Sequence, residues 1–336
     1  MRLLVTGGAG FIGSEYVRFT LREHPGDSVV VLDKLTYAGN LANLAPVAGD
    51  PRYRFVRGDI ADADLVGSLA AETDVVVNFA AESHVDRSLE APGQFIQTDV
   101  YGTYILLEAA LRAGHERFLQ VSTDEVYGDV EAGRSRESDA LRPRSPYSAS
   151  KAGGEMLVWA YRASHGLPAI ITRGSNTYGP YQYPEKIVPL FITNAIDDLP
   201  LPLYGDGGAV RDYLYVEDHC RGIDTALRHG APGDDYNVGF GGEVSGLEVA
   251  DTVLAALGKP ASLKQPVRDR PGHDRRYALD TSRLRGLGWE PRVGFAEGIR
   301  RTVDWYVANP SWWRPLKSGE FWEFYQRNYK PATPGP

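Results

Sequence analysis

One cysteine, Cys220, stands in 336 residues. A single thiol excludes an intramolecular disulfide and a cysteine-rich metal site, and it fits a reducing compartment. No stretch approaches the roughly 20 apolar residues of a membrane span. The first residues, Met1-Arg2-Leu3-Leu4-Val5-Thr6-Gly7, are too short an apolar run for a signal peptide. Positive charge is in the minority: 36 Lys and Arg against 44 Asp and Glu leave a formal net charge of −8. That balance argues against nucleic acid or another polyanion as the main partner, yet a few local Arg and Lys suffice for a small anion. The seven histidines form no helical His-x-x-x-His pair with a nearby carboxylate, so no metal is expected. Internal repeats and low-complexity segments are absent. The expectation is a soluble cytoplasmic protein with no membrane attachment.

What is present is ordinary globular composition, 43% apolar and 24% charged, in a chain long enough for two units. Apolar runs at 3–6, 28–32, 53–56, 75–79, 118–122 and 169–172 take turns with longer helical stretches. Most are rich in β-branched residues and lack polar alternation, and they tend to be followed by Gly, Asp, Asn or Ser. Such runs belong to a parallel sheet covered on both faces. From about residue 175 Gly, Pro and Tyr become dense and the rhythm stops. The fold class expected is α/β: a Rossmann-type doubly wound parallel sheet with a smaller, partly interleaved α+β substrate domain. The boundaries expected are 1–175 with roughly 213–232 for the first unit, and 176–212 with 233–330 for the second. The tail 305–325, with Trp312, Trp313 and Trp322, reads as a packed C-terminal helix.

Thr6-Gly7-Gly8-Ala9-Gly10-Phe11-Ile12-Gly13 follows the first strand and opens a helix. Glycines at Gly7, Gly10 and Gly13 let the backbone turn tightly and approach a pyrophosphate, which the helix N-terminus then faces with N–H groups and positive dipole. A lone Gly-rich turn is weak; the strand before it and the helix after it supply the context the fingerprint requires. Asp33 lies about twenty residues on, at the end of the second strand, where a carboxylate accepts from ribose hydroxyls and repels a 2′-phosphate. NAD is therefore expected over NADP, with Lys34 softening the preference. Asp59, past the third strand, is placed for the adenine, or is an ordinary turn residue.

Tyr147-Ser148-Ala149-Ser150-Lys151 sets Tyr and Lys one helical turn apart on one face, behind Pro146 as a helix opener. A nearby ammonium favours tyrosinate, so Lys151 is expected to lower the Tyr147 pKa from its usual value of about 10. Ser122-Thr123-Asp124-Glu125-Val126-Tyr127-Gly128 ends the fifth strand. Carboxyl ends of parallel strands are where such sheets bind ligands, and paired carboxyls in unlike environments can act as acid and base in one cycle. Elsewhere the pair would read as a solvated turn.

The segments 6–13, Asp-Lys-Leu-Thr-Tyr-Ala-Gly-Asn (33–40), Ala-Ala-Glu-Ser-His-Val-Asp-Arg-Ser (80–88), 122–128, Ser-Pro-Tyr-Ser-Ala-Ser-Lys (145–151), Tyr-Gly-Pro-Tyr (178–181), Pro-Glu-Lys (184–186) and Arg-Pro-Gly-His-Asp-Arg-Arg-Tyr (270–277) resemble the dTDP-glucose 4,6-dehydratases, within the extended short-chain dehydrogenases. The resemblance runs from residue 1 to about 329. Its most specific part is Thr-Asp-Glu; related sugar epimerases keep the Tyr and Lys but usually lack the adjacent acids.

The resemblance implies NAD as cofactor and dTDP-glucose as substrate, with a nucleotide-sugar-binding second domain. It implies Tyr147 as base at the C4 hydroxyl, Glu125 as base at C5, Asp124 as acid at the C6 hydroxyl, Thr123 as a contact near C4, and Lys151 beside the nicotinamide ribose. Phe11, Ile12, Asp33, Lys34, Asp59, Ile60, Ala80, Ala81, Ser83, Thr98, Tyr147 and Lys151 match its NAD contacts. His84, Asn176, Lys186, Arg211, Asn237, Arg270, His273 and Tyr277 match its nucleotide-sugar contacts, Arg suiting a diphosphate by its planar fork. His84 and His273 read equally as a rim histidine and a solvated turn. Thr177 departs from the second Asn that many members carry beside Asn176, and the loop 129–140 is shorter than in some.

A homodimer is also implied, each subunit giving two helices to a four-helix contact. The segment 98–113 reads as one such helix, with Tyr104, Leu107 and Leu111 at helical spacing as either contact face or core. A UDP-sugar 4-epimerase and a non-catalytic NAD-binding protein are the competing functions.

Overall fold

A computed structural model describes residues 1–269 and 274–329. Seven strands form one sheet: β1 (Arg2–Thr6), β2 (Ser28–Asp33), β3 (Tyr53–Arg57), β4 (Val75–Asn78), β5 (Arg117–Thr123), β6 (Ala169–Gly174) and β7 (Asp235–Val238). Their order is β7-β6-β5-β4-β1-β2-β3 and every pairing is parallel. Continuous apolar strands form because both faces are covered, and the period of two sorts the side chains. Leu3, Val5, Val75, Val77, Leu119 and Ile170 face a core built with Tyr16, Val17 and Leu21 of the helix Phe11–Glu23 and Ile223 and Leu227 of the helix Val216–His229. Leu4, Val76, Phe118 and Ile171 face the opposite core with Val66, Leu106, Leu107 and Val158. The strand order reverses between β1 and β4, and the crevice outside their carboxyl ends is where such sheets bind ligands.

β7 pairs with β6 from Asp235↔Ile171 to Val238↔Gly174. It comes from beyond residue 232, so the main sheet includes a strand from the stretch expected to belong wholly to the second unit. Asp235-Tyr236-Asn237-Val238 alternates polar and apolar over only four residues and lacks the continuous apolar character of the other strands, which is why it was not among the expected runs.

The second core gathers Val188 and Phe191 from the helix Ile187–Ile196, Val249 and Val253 from Gly246–Leu257, and Ile299 and Val303 from Phe295–Ala308. The tryptophan-rich tail packs against it as expected, but in separate helical pieces, the end of Phe295–Ala308, then Pro310–Trp313 and Glu320–Asn328, and not as one helix. Trp313 is buried and donates from Nε1 to the Tyr306 carbonyl at 2.9 Å. Trp312 donates to Asn43 Oδ1 at 3.0 Å, and Asn43 in turn donates to the Ala9 carbonyl of the Gly-rich loop. Among the described residues no helix is long and apolar enough to cross a membrane.

Candidate active site

The loop between β1 and the helix Phe11–Glu23 makes a cradle that side chains would fill. Gly7 has φ +68°, and a Cβ there would lie 2.6 Å from the Ala80 nitrogen; one on Gly13 would lie 2.4 Å from the Gly7 carbonyl oxygen. Only glycine leaves this backbone open at a helix N-terminus, the feature a pyrophosphate needs. Asp33 braces the loop, accepting from the Ala9 N–H at 2.9 Å and the Leu35 N–H at 2.8 Å. Lys34 pairs with Asp59 at 3.1 Å. The residues present therefore fit a dinucleotide.

The same cavity, about 330 Å³, continues to the ends of β5 and β6 and is lined by every residue expected to hold NAD and by Thr123, Asp124, Glu125, Tyr147 and Lys151. That volume lies within the roughly 300–1,000 Å³ of small-molecule sites. Asp124 and Glu125 sit on a tight turn, Asp124–Tyr127, that ends β5. Thr123 Oγ1 accepts from the Glu125 N–H at 3.2 Å and donates to Asp124 Oδ1 at 3.1 Å. Asp124 Oδ2 is buried without a hydrogen-bond partner among the described residues. Burial, and next the neighbouring Glu125 charge, push the Asp124 carboxyl well above the usual range. Adjacent acids thus have unlike surroundings, one sealed in and one half-buried.

Tyr147 and Lys151 lie on the helix Pro146–His165, which Ser145 caps by accepting from the Ser148 N–H while Ser148 Oγ accepts from the Ser145 N–H. The expected lowering of the Tyr147 pKa is not what the protein alone produces. Burial, then Glu125 and Asp99, push the phenol up, and Thr123 opposes them with a hydrogen bond. The Lys151 ammonium donates to the Val121 carbonyl at 2.8 Å, and burial lowers its own pKa.

Asn176 and Lys186 line the cavity, and Lys186 donates to the Ser83 carbonyl at 2.5 Å. His84, Arg211, Asn237 and Tyr277 do not line it. Asn237 is fully buried: it accepts from the Tyr127 hydroxyl at 2.9 Å and donates to the Ser135 and Asp280 carbonyls. Its amide is saturated by the fold, so it supports the site from behind. Arg211 donates to the Val210 and Asp274 carbonyls, with its guanidinium 4.5 Å from the centre of the Tyr277 ring. His84 is buried with its ring edge-on to Phe324. Arg270 and His273 lie outside the described residues.

Two groups, one in the cavity wall and one buried behind it, had no signal in the sequence. Asp99 sits in a π-helical turn, Ile96–Gly102, and accepts from Ser150 Oγ at 2.6 Å and the Glu82 N–H at 3.1 Å. Burial lifts it to about 6, against the pull of Lys151. Such turns often mark functional sites. His219, from the helix Val216–His229, lies at the wall beside Thr177. Neither stands in a local motif; each reaches the site through a contact distant in sequence.

The sequence model of the GDP-mannose 4,6 dehydratase family matches residues 4–302. A dTDP-glucose 4,6-dehydratase of Streptomyces antibioticus is 54% identical, with 94% of this chain and 96% of that protein covered. A dTDP-glucose 4,6-dehydratase of Streptomyces venezuelae, solved with NAD bound, superposes with a TM-score of 0.92 at 52% identity, covering 94% of this chain and all of that one. A UDP-glucose 4-epimerase of Thermus thermophilus, also solved with NAD, gives 0.85 at 38%, covering 92% of this chain and all of that one. With the dinucleotide cradle, the Tyr-Lys helix and the Thr-Asp-Glu turn in one cavity, the chain belongs to the GDP-mannose 4,6 dehydratase family, in the company of the dTDP-glucose 4,6-dehydratases.

Proposed function

We propose that this protein is a dTDP-glucose 4,6-dehydratase, an NAD-dependent hydro-lyase that converts dTDP-glucose to dTDP-4-keto-6-deoxyglucose and water. The observation that carries the reading is the Asp124–Glu125 turn opposite Tyr147 and Lys151 in one cavity. Gly7, Gly10 and Gly13 hold the cofactor's pyrophosphate, Asp33 its adenosine ribose and Lys151 its nicotinamide ribose. Bound there, NAD would supply the hydride acceptor for C4 and the hydride donor for C6. Tyr147 accepts the proton of the C4 hydroxyl while Thr123 orients that oxygen. The resulting ketone acidifies C5–H, and Glu125 removes that proton. Asp124, whose burial favours the protonated form, donates to the C6 hydroxyl, which leaves as water. Glu125 then returns its proton to C5, and the proton held by Tyr147 balances the one that Asp124 gave up.

A 4-epimerase is the second reading, favoured by the likeness to the Thermus structure; it needs Tyr147 and Lys151 but leaves the paired acids without a task. Incubation with a panel of nucleotide-glucose donors, followed by mass spectrometry, separates the two. Loss of water from dTDP-glucose is expected. An isomer of unchanged mass identifies an epimerase, and no turnover with any donor overturns the enzyme reading.

The cofactor is borrowed and restored within each cycle, so it should stay bound through purification. Nucleotide released by denaturation is expected to be NAD. A 2′-phosphate would meet Asp33, and the one cation beside it in sequence, Lys34, is engaged with Asp59. Mainly NADP in that supernatant would count against this assignment.

The protein is further proposed to be a cytoplasmic homodimer. Of the expected stripe, Leu107 is core, Leu111 packs on that core, and only Tyr104 is exposed. The face left for a partner is Ile96, Tyr101, Tyr104 and Met156, 38–53% exposed, on two helical segments in contact where Gly153 meets Val100. Light scattering at micromolar concentration should give twice the chain mass, and Tyr104→Glu with Met156→Glu should shift it toward the monomer.

A further inference from the structure

The turn Asp124–Tyr127 leaves the cavity with little slack. The Gly128 N–H donates to the Glu125 carbonyl at 3.2 Å, and the Arg142 N–H donates to the Val126 carbonyl at 2.9 Å. Gly128 has φ +77°, and a Cβ there would lie 2.4 Å from the Arg142 carbonyl oxygen, so the exit of the turn is wedged in place. The next residue, Asp129, reaches a segment 146 residues further on. Its Oδ1 accepts two consecutive backbone donors, the Arg275 N–H at 2.8 Å and the Arg276 N–H at 2.9 Å. The Val130 N–H donates to the Arg276 carbonyl at 3.1 Å, and the Arg276 guanidinium donates back to the Val130 and Gly133 carbonyls, each at 3.0 Å. The same segment meets two other parts of the site. Arg211 donates to the Asp274 carbonyl at 2.7 Å. Arg144, three residues before Tyr147, pairs with Asp274 Oδ1 at 2.8 Å, and the Tyr277 hydroxyl donates to Asp274 Oδ2. Residues 274–277 are thus where the acid turn, the Tyr-Lys helix and Arg211 come together.

We propose that Asp129 is a positioning residue for the loss of water: its carboxylate clamps residues 274–277 to the turn that carries Asp124 and Glu125, and so holds that acid–base pair in register with the bound sugar. The inference rests on the dehydratase reading above. Two backbone donors on one carboxylate oxygen fix its position, and the wedged Gly128 passes that constraint back to Glu125 and Asp124. Proton transfer needs donor and acceptor within hydrogen-bond reach, and a displacement of about 1 Å costs on the order of 10²-fold in rate. Tyr147 is held differently, on a helix that Ser145 caps, so oxidation at C4 does not depend on the clamp. The charge on Asp129 matters less than its oxygen. Its other oxygen faces the half-exposed Arg144 across 3.8 Å, a contact that solvent screens.

The test follows NADH absorbance and product after rapid mixing of dTDP-glucose with wild type, Asp129→Ala and Asp129→Asn, alongside equilibrium binding of dTDP. Asp129→Ala should oxidise the sugar at close to the wild-type rate and then lose water roughly tenfold or more slowly, so that NADH accumulates. Its kcat should fall while dTDP affinity and the urea midpoint stay as in wild type. Asp129→Asn keeps an oxygen for both N–H groups and gives up only the screened charge, so its kcat should lie within about twofold of wild type. Unchanged kcat in Asp129→Ala overturns the proposal. So does weaker dTDP binding without NADH accumulation, which makes Asp129 a binding contact. Equal slowing of oxidation and water loss with a lowered urea midpoint overturns it as well, since Asp129 then serves the fold alone. Asn as impaired as Ala gives the effect to the charge and not to the clamp. Failure of wild type to release water from dTDP-glucose is a failure of the dehydratase reading itself, visible before any variant is made.

Discussion

Glu125→Gln is expected to oxidise dTDP-glucose once and stop there. NADH absorbance should rise on mixing and persist, and solvent deuterium should not enter C5. The amide matches the carboxylate in size, and the backbone contacts of residue 125, its N–H to Thr123 Oγ1 and its carbonyl from the Gly128 N–H, do not depend on the side chain. What is lost is a base, commonly worth roughly 10²–10⁴-fold in rate. Tyr147→Phe should fail earlier, with no NADH, since the C4 hydroxyl then has no proton acceptor. Asp124→Asn should permit oxidation but slow the loss of water, because an amide has no acidic proton to give. The division among the variants decides more than its size. If all three fail equally before hydride transfer, the carboxyls serve binding or structure and the dehydration mechanism proposed here is wrong. If Glu125→Gln turns over at full rate, the C5 base lies elsewhere.

Arg173→Met should destabilise the protein by about 3–5 kcal/mol, as expected for breaking a buried charge pair. Arg173 and Glu155 are both wholly buried, with Nη2 to Oε2 at 2.7 Å. Arg173 also donates to the Tyr127 hydroxyl at 2.7 Å and pairs with Asp235 of β7 at 3.1 Å. Removing the guanidinium strands the Glu155 carboxylate in a low-dielectric core, whereas Asp235 keeps Arg162 as its own partner at 2.7 Å. Urea unfolding reads the loss as a lower midpoint at unchanged slope. Arg173→Met with Glu155→Leu removes both charges and should recover most of that stability. It should not recover full turnover, since Tyr127 ends the Asp124–Tyr127 turn and loses one of its two hydrogen bonds. Equal stability of the single variant and wild type would show that the network is not holding the fold.

Local pattern alone determined much of this protein. Uninterrupted runs such as Val75–Asn78 read as buried parallel strands because covering both sheet faces removes any need for polar alternation. The glycines of residues 7–13 were legible because steric limits on a backbone near a phosphate leave few residue types. Tyr147 and Lys151 were legible because helical geometry puts residues four apart on one face. The tertiary structure decided everything that depends on partners distant in sequence. It made β7 from a short alternating stretch, unlike the continuous apolar runs, by pairing it with β6. It sealed Asn237 behind the site through Tyr127, Ser135 and Asp280. It turned Leu107 inward and left Tyr104 out. It carried His219 to the cavity wall and Asp99 to a buried place beside Ser150, and burial, then the Glu125 and Asp99 charges, push the Tyr147 phenol up where a lowering was expected. Burial and electrostatics are sums over neighbours in space, and a sequence names only neighbours along the chain.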